Sequence, residues 1–359
     1  MNSTALGRAA IRGYSPRQAL PGEGDIVTGR EHVAAYLEPL AASPALAGQI
    51  ETGTTVLAVG RAGLLKEDLA GDPRRATHPF RLLLRAADGQ ERVEEADVVI
   101  DCTGCYGNGR SLGDGGIPAG GELAAREHIA SGLEDVLGER VKHYSDKTVL
   151  VVGAGHSAAT TVCLLAELAK RHPATWIVWL ARAAGSQPIR RVLNDPLRER
   201  DLIAARANML ATRGEGHVEF HAQAIVETIE FYGPNDGFVV QARVAGETKS
   251  WQVDRLIANV GYGPDLSLAR ELQVQECSAT FAPTGLAATL LKHAGTDSTA
   301  IPPPPAAALR TGEPNYYVLG AKSYGRQSNF LMRTGFEQVR DVFTLIAAKP
   351  GLDLYAAAR

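Results

Sequence analysis

Thr148-Val-Leu-Val-Val-Gly153-Ala-Gly155-His-Ser-Ala158-Ala-Thr-Thr161 is an apolar run that breaks at two glycines and resumes with helix-forming residues. Thr148 to Val152 read as a strand of the kind buried on both faces of a parallel sheet. The residues after it carry the G-x-G-x-x-(G/A) spacing. Gly153 permits a tight strand-to-helix turn, Gly155 lets the backbone approach a pyrophosphate, and Ala158 keeps the helix close to the sheet. A helix opening at His156-Ser157 offers free N–H groups and the positive end of its dipole to phosphates. That helix is predicted to run from about His156 to Arg171, with Ala158, Val162, Leu165 and Ala169 on one face and Pro173 past its end. Thr175 to Arg182, TWIVWLAR, returns as a second parallel strand. The glycines thus sit in a complete βαβ context, which predicts nucleotide binding.

The end of the second strand selects the nucleotide. NAD sites usually place Asp or Glu there, and NADP sites place Arg nearby. This strand ends Leu180-Ala181-Arg182, with no acid, and Arg190 and Arg191 follow. NADP(H) is therefore favoured over NAD, with Arg182 either its partner or a solvated loop residue.

On either side of the βαβ unit lies a strand meander. Thr54 to Thr103 shows strand-like periodicity, with Asp88-Gly89 as a hairpin signal. After residue 216 come HVEFHAQAIVETIEFY, GFVVQARV and KSWQVDRLIANVGYGPD. DGQERVEEADVVIDCTGCYG closes the first meander and GETKSWQVDRLIANVGYGPD the second, and Asp97 and Asp254 stand about 157 residues apart. A repeat this long suggests duplicated or nested domains rather than a solenoid. The fold class expected is α/β: a Rossmann-like NAD(P)-binding domain, residues 147–254, nested in an incomplete FAD-binding-type α/β domain of residues 1–146 and 255–359, each with a β-meander. By the repeat, the βαβ start of the outer domain falls before Met1, so in-frame sequence upstream is expected to encode a G-x-G-x-x-G. Elsewhere, Gly29 to Ala42 reads as a helix with the apolar positions Val33, Leu37 and Leu40 at helical spacing, and residues 105–146 read as glycine-rich loop. Ile301-Pro-Pro-Pro-Pro is a short stiff connection. The chain closes as strand, glycine turn and amphipathic helix.

Several functions are disfavoured. A net charge of −3 gives no excess to attract nucleic acid or anionic lipid. No apolar run approaches the ~18 residues of a membrane span, and the first residues do not read as a signal peptide. A cytoplasmic protein is expected. Four cysteines make no disulfide framework. Cys102-Thr-Gly-Cys105 invites a redox reading, but Cys102 ends an apolar strand where that chemistry wants a helix N-terminus, so a turn on Thr103-Gly104 explains it better. Cys163 reads as core. No His/Cys cluster has metal spacing and no side-chain catalyst is visible, so the chemistry is assigned to cofactors, acting on a small-molecule substrate or electron acceptor. Oligomeric state stays open.

Together, ADVVIDCTG, VVGAGHSA between two meanders, LIANVGYGPD and YYVLGAKSYGR resemble the two-dinucleotide-binding flavoproteins. More narrowly, the chain is similar to bacterial FAD-dependent pyridine-nucleotide oxidoreductases related to flavin-containing monooxygenases, over roughly residues 25–348. The resemblance implies FAD as well as NADPH, with hydride passing from NADPH to FAD and electrons then to oxygen, a disulfide or an organic acceptor. It implies that Thr103 and Gly104, then Asn259 to Gly261, form inter-domain turns near the cofactors. Gly320, with Tyr324 and Arg326, would approach the flavin, and a helix starting near Ser328 would point at its ring. The chain departs from that pattern in three places. No G-x-G-x-x-G precedes residue 50, the usual Gly-Asp is Gly320-Ala321, and F-x-G-x-x-x-H is missing from residues 105–146. The alternative reading is a non-catalytic NADP-binding module, a sensor or partner subunit.

Overall fold

The structure, a computed structural model, describes residues 2–22, 24–214 and 217–356. The chain forms two compact units, Met1–Cys105 with Pro264–Arg359, and Tyr106–Gly263. Strands β1 (Thr55–Arg61), β2 (Phe80–Arg85), β3 (Glu91–Ala96) and β4 (Val99–Asp101) belong to the outer unit. The central unit holds β5 (Ala130–Ser131), β6 (Thr148–Val152), β7 (Trp176–Leu180), β8 (Val218–His221), β9 (Ala224–Gly233), β10 (Gly237–Val244), β11 (Glu247–Val253) and β12 (Arg255–Ala258). The chain returns to the outer unit, which contains β13 (Tyr316–Val318).

The central unit is built around β6. Its parallel sheet runs β5-β12-β6-β7-β8, and the alternation of side chains decides what covers each face. Val149 and Val151 join Ile177, Trp179 and Ile257 against the helix His156–Ala169, while Leu150 and Val152 join Val178, Leu180 and Leu256 against the β9–β11 meander. Each such fully buried aliphatic side chain contributes about 1.5–3 kcal/mol. The expected helix face is correct, since Ala158, Val162, Leu165 and Ala169 are all buried. Between β10 and β11, Ala245 (φ 50°) and Gly246 (φ 95°) supply the two left-handed residues of a tight hairpin.

This unit is wider than the 147–254 expected from the sequence. Gly120 donates to Glu227 O at 2.8 Å and accepts from Ile229 N at 2.7 Å, which docks the glycine-rich segment along β9. An added Cβ at Gly121 would stand 2.1 Å from Ile229 O, so only glycine lets the chains come this close. The buried Glu122 carboxylate accepts from the Leu112 and Ala119 N–H groups and fixes the loop. β5 then pairs with β12. Residues 106–146 and 255–263 therefore belong here. Periodicity could not reveal the first segment because its core residues, Leu112, Ala119, Ala125, Val136 and Tyr144, are scattered without a helical or strand period and backbone bonds supply the rest.

The outer unit has an antiparallel meander, β1-β2-β3, and a parallel pair, β4 with β13. The Asp88-Gly89 hairpin forms as expected, with Gly89 at φ 86°. Val59 and Phe80 of the meander pack with Leu272, Tyr316 and Val318. Beside them is a buried triad. Glu313 accepts from Arg61 Nε at 2.8 Å and Arg75 Nη2 at 3.1 Å, and from the Gln273 N–H at 2.8 Å. All three charged side chains are shielded from solvent.

Two helix expectations are corrected. Over Gly29–Ala41 the middle turn, Val33–Leu37, is a π turn, and Tyr36 rather than Val33 or Leu37 is buried. Pro39 has no N–H to give the preceding turn, and the wider turn rotates the inward face. The closing helix is Met332–Ile346, not one beginning near Ser328, because Leu331 is still extended (φ −121°, ψ 148°). Val342 of that helix packs with Leu309, Tyr317 and Leu319.

Candidate functional site

In a parallel sheet the loops beyond the carboxyl ends of the strands line one edge, where ligands of open α/β sheets bind. The G-x-G turn occupies that position after β6. Gly153 has φ 148°, and a Cβ there would lie 2.3 Å from Asn259 O, so the turn is closed against the end of β12. Gly153 also accepts from the buried Trp179 indole at 2.8 Å. Ala158 is fully buried, 3.3 Å from the same Cβ position, as its spacing role requires.

Gly155 differs from Gly153. It is the N-cap of the helix His156–Ala169, in extended conformation (φ −102°, ψ 178°), and no atom lies within 4 Å of where its Cβ would be. Among the described residues no side chain caps this helix. Its first-turn N–H groups and dipole are therefore offered to a group that can approach as closely as the missing side chain allows. His156 is exposed here and Ser157 half-buried. These features fit a dinucleotide pyrophosphate.

Arg182 follows the end of β7 and is exposed, and its guanidinium has no hydrogen bond among the described residues. Arg191, by contrast, is engaged by Asp201 through two bonds of 2.8 Å. Arg190 is also exposed. Of the three arginines, Arg182 is the one that directly follows β7, the strand paired with β6. Asn259 and Gly261 follow β12; Gly261 (φ 86°) faces open space and Asn259 is buried.

In the outer unit, Thr103 and Gly104 follow β4, and Gly320 follows β13. Gly104 (φ 73°) and Gly320 (φ 72°) both have open space at the Cβ position. Gly320 donates to Gln338 Oε1 at 2.8 Å, which ties the turn to the closing helix. Thr103 is exposed, and its hydroxyl donates to Asp101 Oδ1 at 2.7 Å and accepts from Lys322 Nζ at 3.0 Å. Lys322 Nζ also reaches Asp101 Oδ2 at 2.6 Å, and the Tyr316 hydroxyl donates to the same oxygen at 3.1 Å. Burial alone would raise the Asp101 carboxyl, but the bonds from Lys322 and Thr103 outweigh it and hold it below the usual range. The residue beside the missing acid, Lys322, is thus an internal cation.

Tyr324 does not present its ring to an open site. It is 2% exposed and packs with Leu286, Leu290 and Phe330. Arg326 lies over the Phe281 ring at 4.4 Å. Burial and the Asp101 charge both push the Cys102 thiol up, against a reactive thiolate. Cys163 is buried in its helix as expected. Sequence reasoning missed Asp101 and Lys322; the signal was an acid closing the apolar run Val98-Val99-Ile100 and a lysine within an apolar glycine turn. Among the described residues no cluster could hold a metal ion, and no helix is long and apolar enough to cross a membrane.

No family model and no curated protein matches the chain. Solved structures do. A bacillithiol disulfide reductase from Bacillus cereus superposes with a TM-score of 0.61 at 19% identity, over 91% of this chain and 82% of that one. Thioredoxin reductase from T. acidophilum gives 0.55 at 15%, over 89% and 82%. The FAD-bound cadaverine monooxygenase of desferrioxamine biosynthesis from Erwinia amylovora gives 0.54 at 13%, over 87% and 73%. At these identities the likeness is one of fold. The chain has the two-dinucleotide-binding α/β fold shared by flavoprotein reductases and monooxygenases.

Proposed function

We propose that this chain is an NADPH-dependent oxidoreductase of the flavoprotein type, with NADPH held by the central unit and a small molecule as final electron acceptor. The observation that carries the reading is the open Gly155 at an uncapped helix start beside the closed Gly153 turn. Gly155 and the first-turn N–H groups would hold the pyrophosphate, and Arg182 the 2′-phosphate. For a flavin, the open backbones at Gly104 and Gly320 fit the approach of a flat ring. Its diphosphate finds no second G-x-G-x-x-G in this sequence. A bound flavin supplies hydride acceptance from a nicotinamide and onward transfer of electrons. The non-catalytic reading, an NADP-binding module, draws support from Thr103, whose hydroxyl proton is engaged by Asp101 and which also accepts from Lys322.

Titration with NADPH and NADH, followed by Trp179 fluorescence beside the Gly153 turn, tests the nucleotide reading. An absorbance spectrum with and without added FAD separates the two alternatives: a bound flavin band supports the oxidoreductase, and NADPH binding without one supports the module. Arg182→Ala is expected to weaken NADPH about tenfold, the equivalent of ~1.4 kcal/mol, and to leave NADH within about twofold, because only the former carries the phosphate that a guanidinium pairs with. Equal loss for both nucleotides would remove Arg182 from the phosphate role.

A further inference from the structure

We propose that Tyr262, backed by Tyr106, and Asn259 receive the nicotinamide end of the dinucleotide; this rests on the nucleotide reading of the central unit. The strand order fixes the direction of the ligand. With the sheet running β5-β12-β6-β7-β8 and all pairs parallel, the residues beyond the carboxyl ends line one edge in the order Gly132, Asn259 to Tyr262, Gly153 to His156, Arg182. Neighbouring strands are about 4.8 Å apart. A dinucleotide with its pyrophosphate at Gly155 and its 2′-phosphate at Arg182 extends its other half over the ends of β12 and β5.

What stands there suits a flat ring carrying an amide. Asn259 is 6% exposed; its Nδ2 donates to Gly132 O at 2.7 Å, and its Oδ1 is buried with no donor among the described residues. An unsatisfied buried acceptor costs about 1–3 kcal/mol, and an amide N–H from a ligand removes that cost. The Tyr262 hydroxyl lies against the same Gly132, 2.9 Å from where its Cβ would be. The Tyr262 ring meets Tyr106 edge-on, at 5.0 Å between centroids and 74°, and Tyr106 is 79% exposed. Both tyrosines ride on a short antiparallel ribbon, held by Arg110 N to Gly261 O at 3.0 Å and Gly263 N to Asn108 O at 2.9 Å. Tyr262 and Asn259 thus converge on Gly132, the ring of the one to stack on the nicotinamide and Oδ1 of the other to accept from its carboxamide. Stacking of aromatic faces contributes about 0.5–1.5 kcal/mol beyond area.

The test compares NADPH with 2′-phospho-ADP-ribose, the same ligand without nicotinamide, by calorimetry on the wild-type chain and on Tyr262→Leu and Asn259→Ala. NADPH is expected to bind about tenfold more weakly to each variant, with 2′-phospho-ADP-ribose unchanged within about twofold. Retained binding of the fragment also shows that the variant is folded. Unchanged NADPH affinity in both variants overturns the proposal, as does equal weakening of both ligands. Failure of the wild type to bind either ligand overturns the nucleotide reading and this proposal with it.

Discussion

Glu313→Ala is expected to destabilise the protein by about 3–5 kcal/mol, the range for removing one partner of a buried ion pair. The substitution leaves two guanidiniums with no carboxylate. Arg61 keeps its bonds to His78 O and Pro314 O and its place over the Phe80 ring at 3.6 Å, and Arg75 keeps Asp68 O at 2.6 Å. Those dipoles solvate two positive charges but do not neutralise them. In a thermal scan the loss corresponds to a fall of roughly 6–20 °C for a unit of about 200 residues. Glu91→Ala, which breaks the exposed pair with Arg85, serves as the comparison and is expected to change little. If Glu313→Ala melts with the wild type, the triad does not hold the outer unit together.

The same carboxylate sets a pH dependence. Burial acts to raise the Glu313 carboxyl, but the bonds from Arg75, the Gln273 N–H and Arg61 outweigh it and leave it below its ordinary value. A depressed carboxyl contributes stability that is fully present above its unfolded value and is lost as pH falls through the folded one. The Asp101 carboxyl, held low by Lys322 and Thr103, acts in the same direction. Stability is therefore expected to fall as pH drops below the ordinary carboxylate range, and less steeply in Glu313→Ala, which has already lost one of these buried contributions.

How far the sequence announces all this depends on what each part rests on. The parallel sheet was legible because β6 and β7 are continuous apolar strands flanking a glycine turn whose spacing has few other uses. The meanders and the Asp88-Gly89 hairpin were legible for a similar reason, since period and turn chemistry agree. The boundary of the central unit was not, because the backbone bonds of Gly120, the close approach at Gly121 and the Glu122 carboxylate that fixes the loop leave no periodic mark. Nor was the Tyr36 face, since one π turn shifts which side of a helix points inward. In the candidate site, Gly153, Gly155 and Ala158 stand in one local motif and Arg182 at the end of the strand that follows, so the proposal for them can be made from sequence. Asp101, Lys322 and Glu313 were not legible: their partners lie 221 residues apart in one case and 252 in another, and single-chain patterns carry no information over such distances.

The two glycines of the motif make opposite demands, and a charge at Gly155 separates binding from folding. Gly155→Asp places an aspartate at an N-cap whose conformation is already extended and whose side-chain direction is empty. Aspartate is a better N-cap than glycine by a few tenths of a kcal/mol, and its charge suits the positive end of the helix dipole. The variant is therefore expected to melt at or slightly above the wild-type temperature. The same carboxylate takes the position and the N–H groups that a pyrophosphate needs, and adds like-charge repulsion at contact distance. NADPH affinity is expected to fall at least about a hundredfold, which is ~2.8 kcal/mol or more. Calorimetric titration and a thermal scan on one preparation read both effects. A Gly155→Asp chain that keeps its melting temperature and still binds NADPH as the wild type does would show that the turn after β6 packs the helix and holds no phosphate.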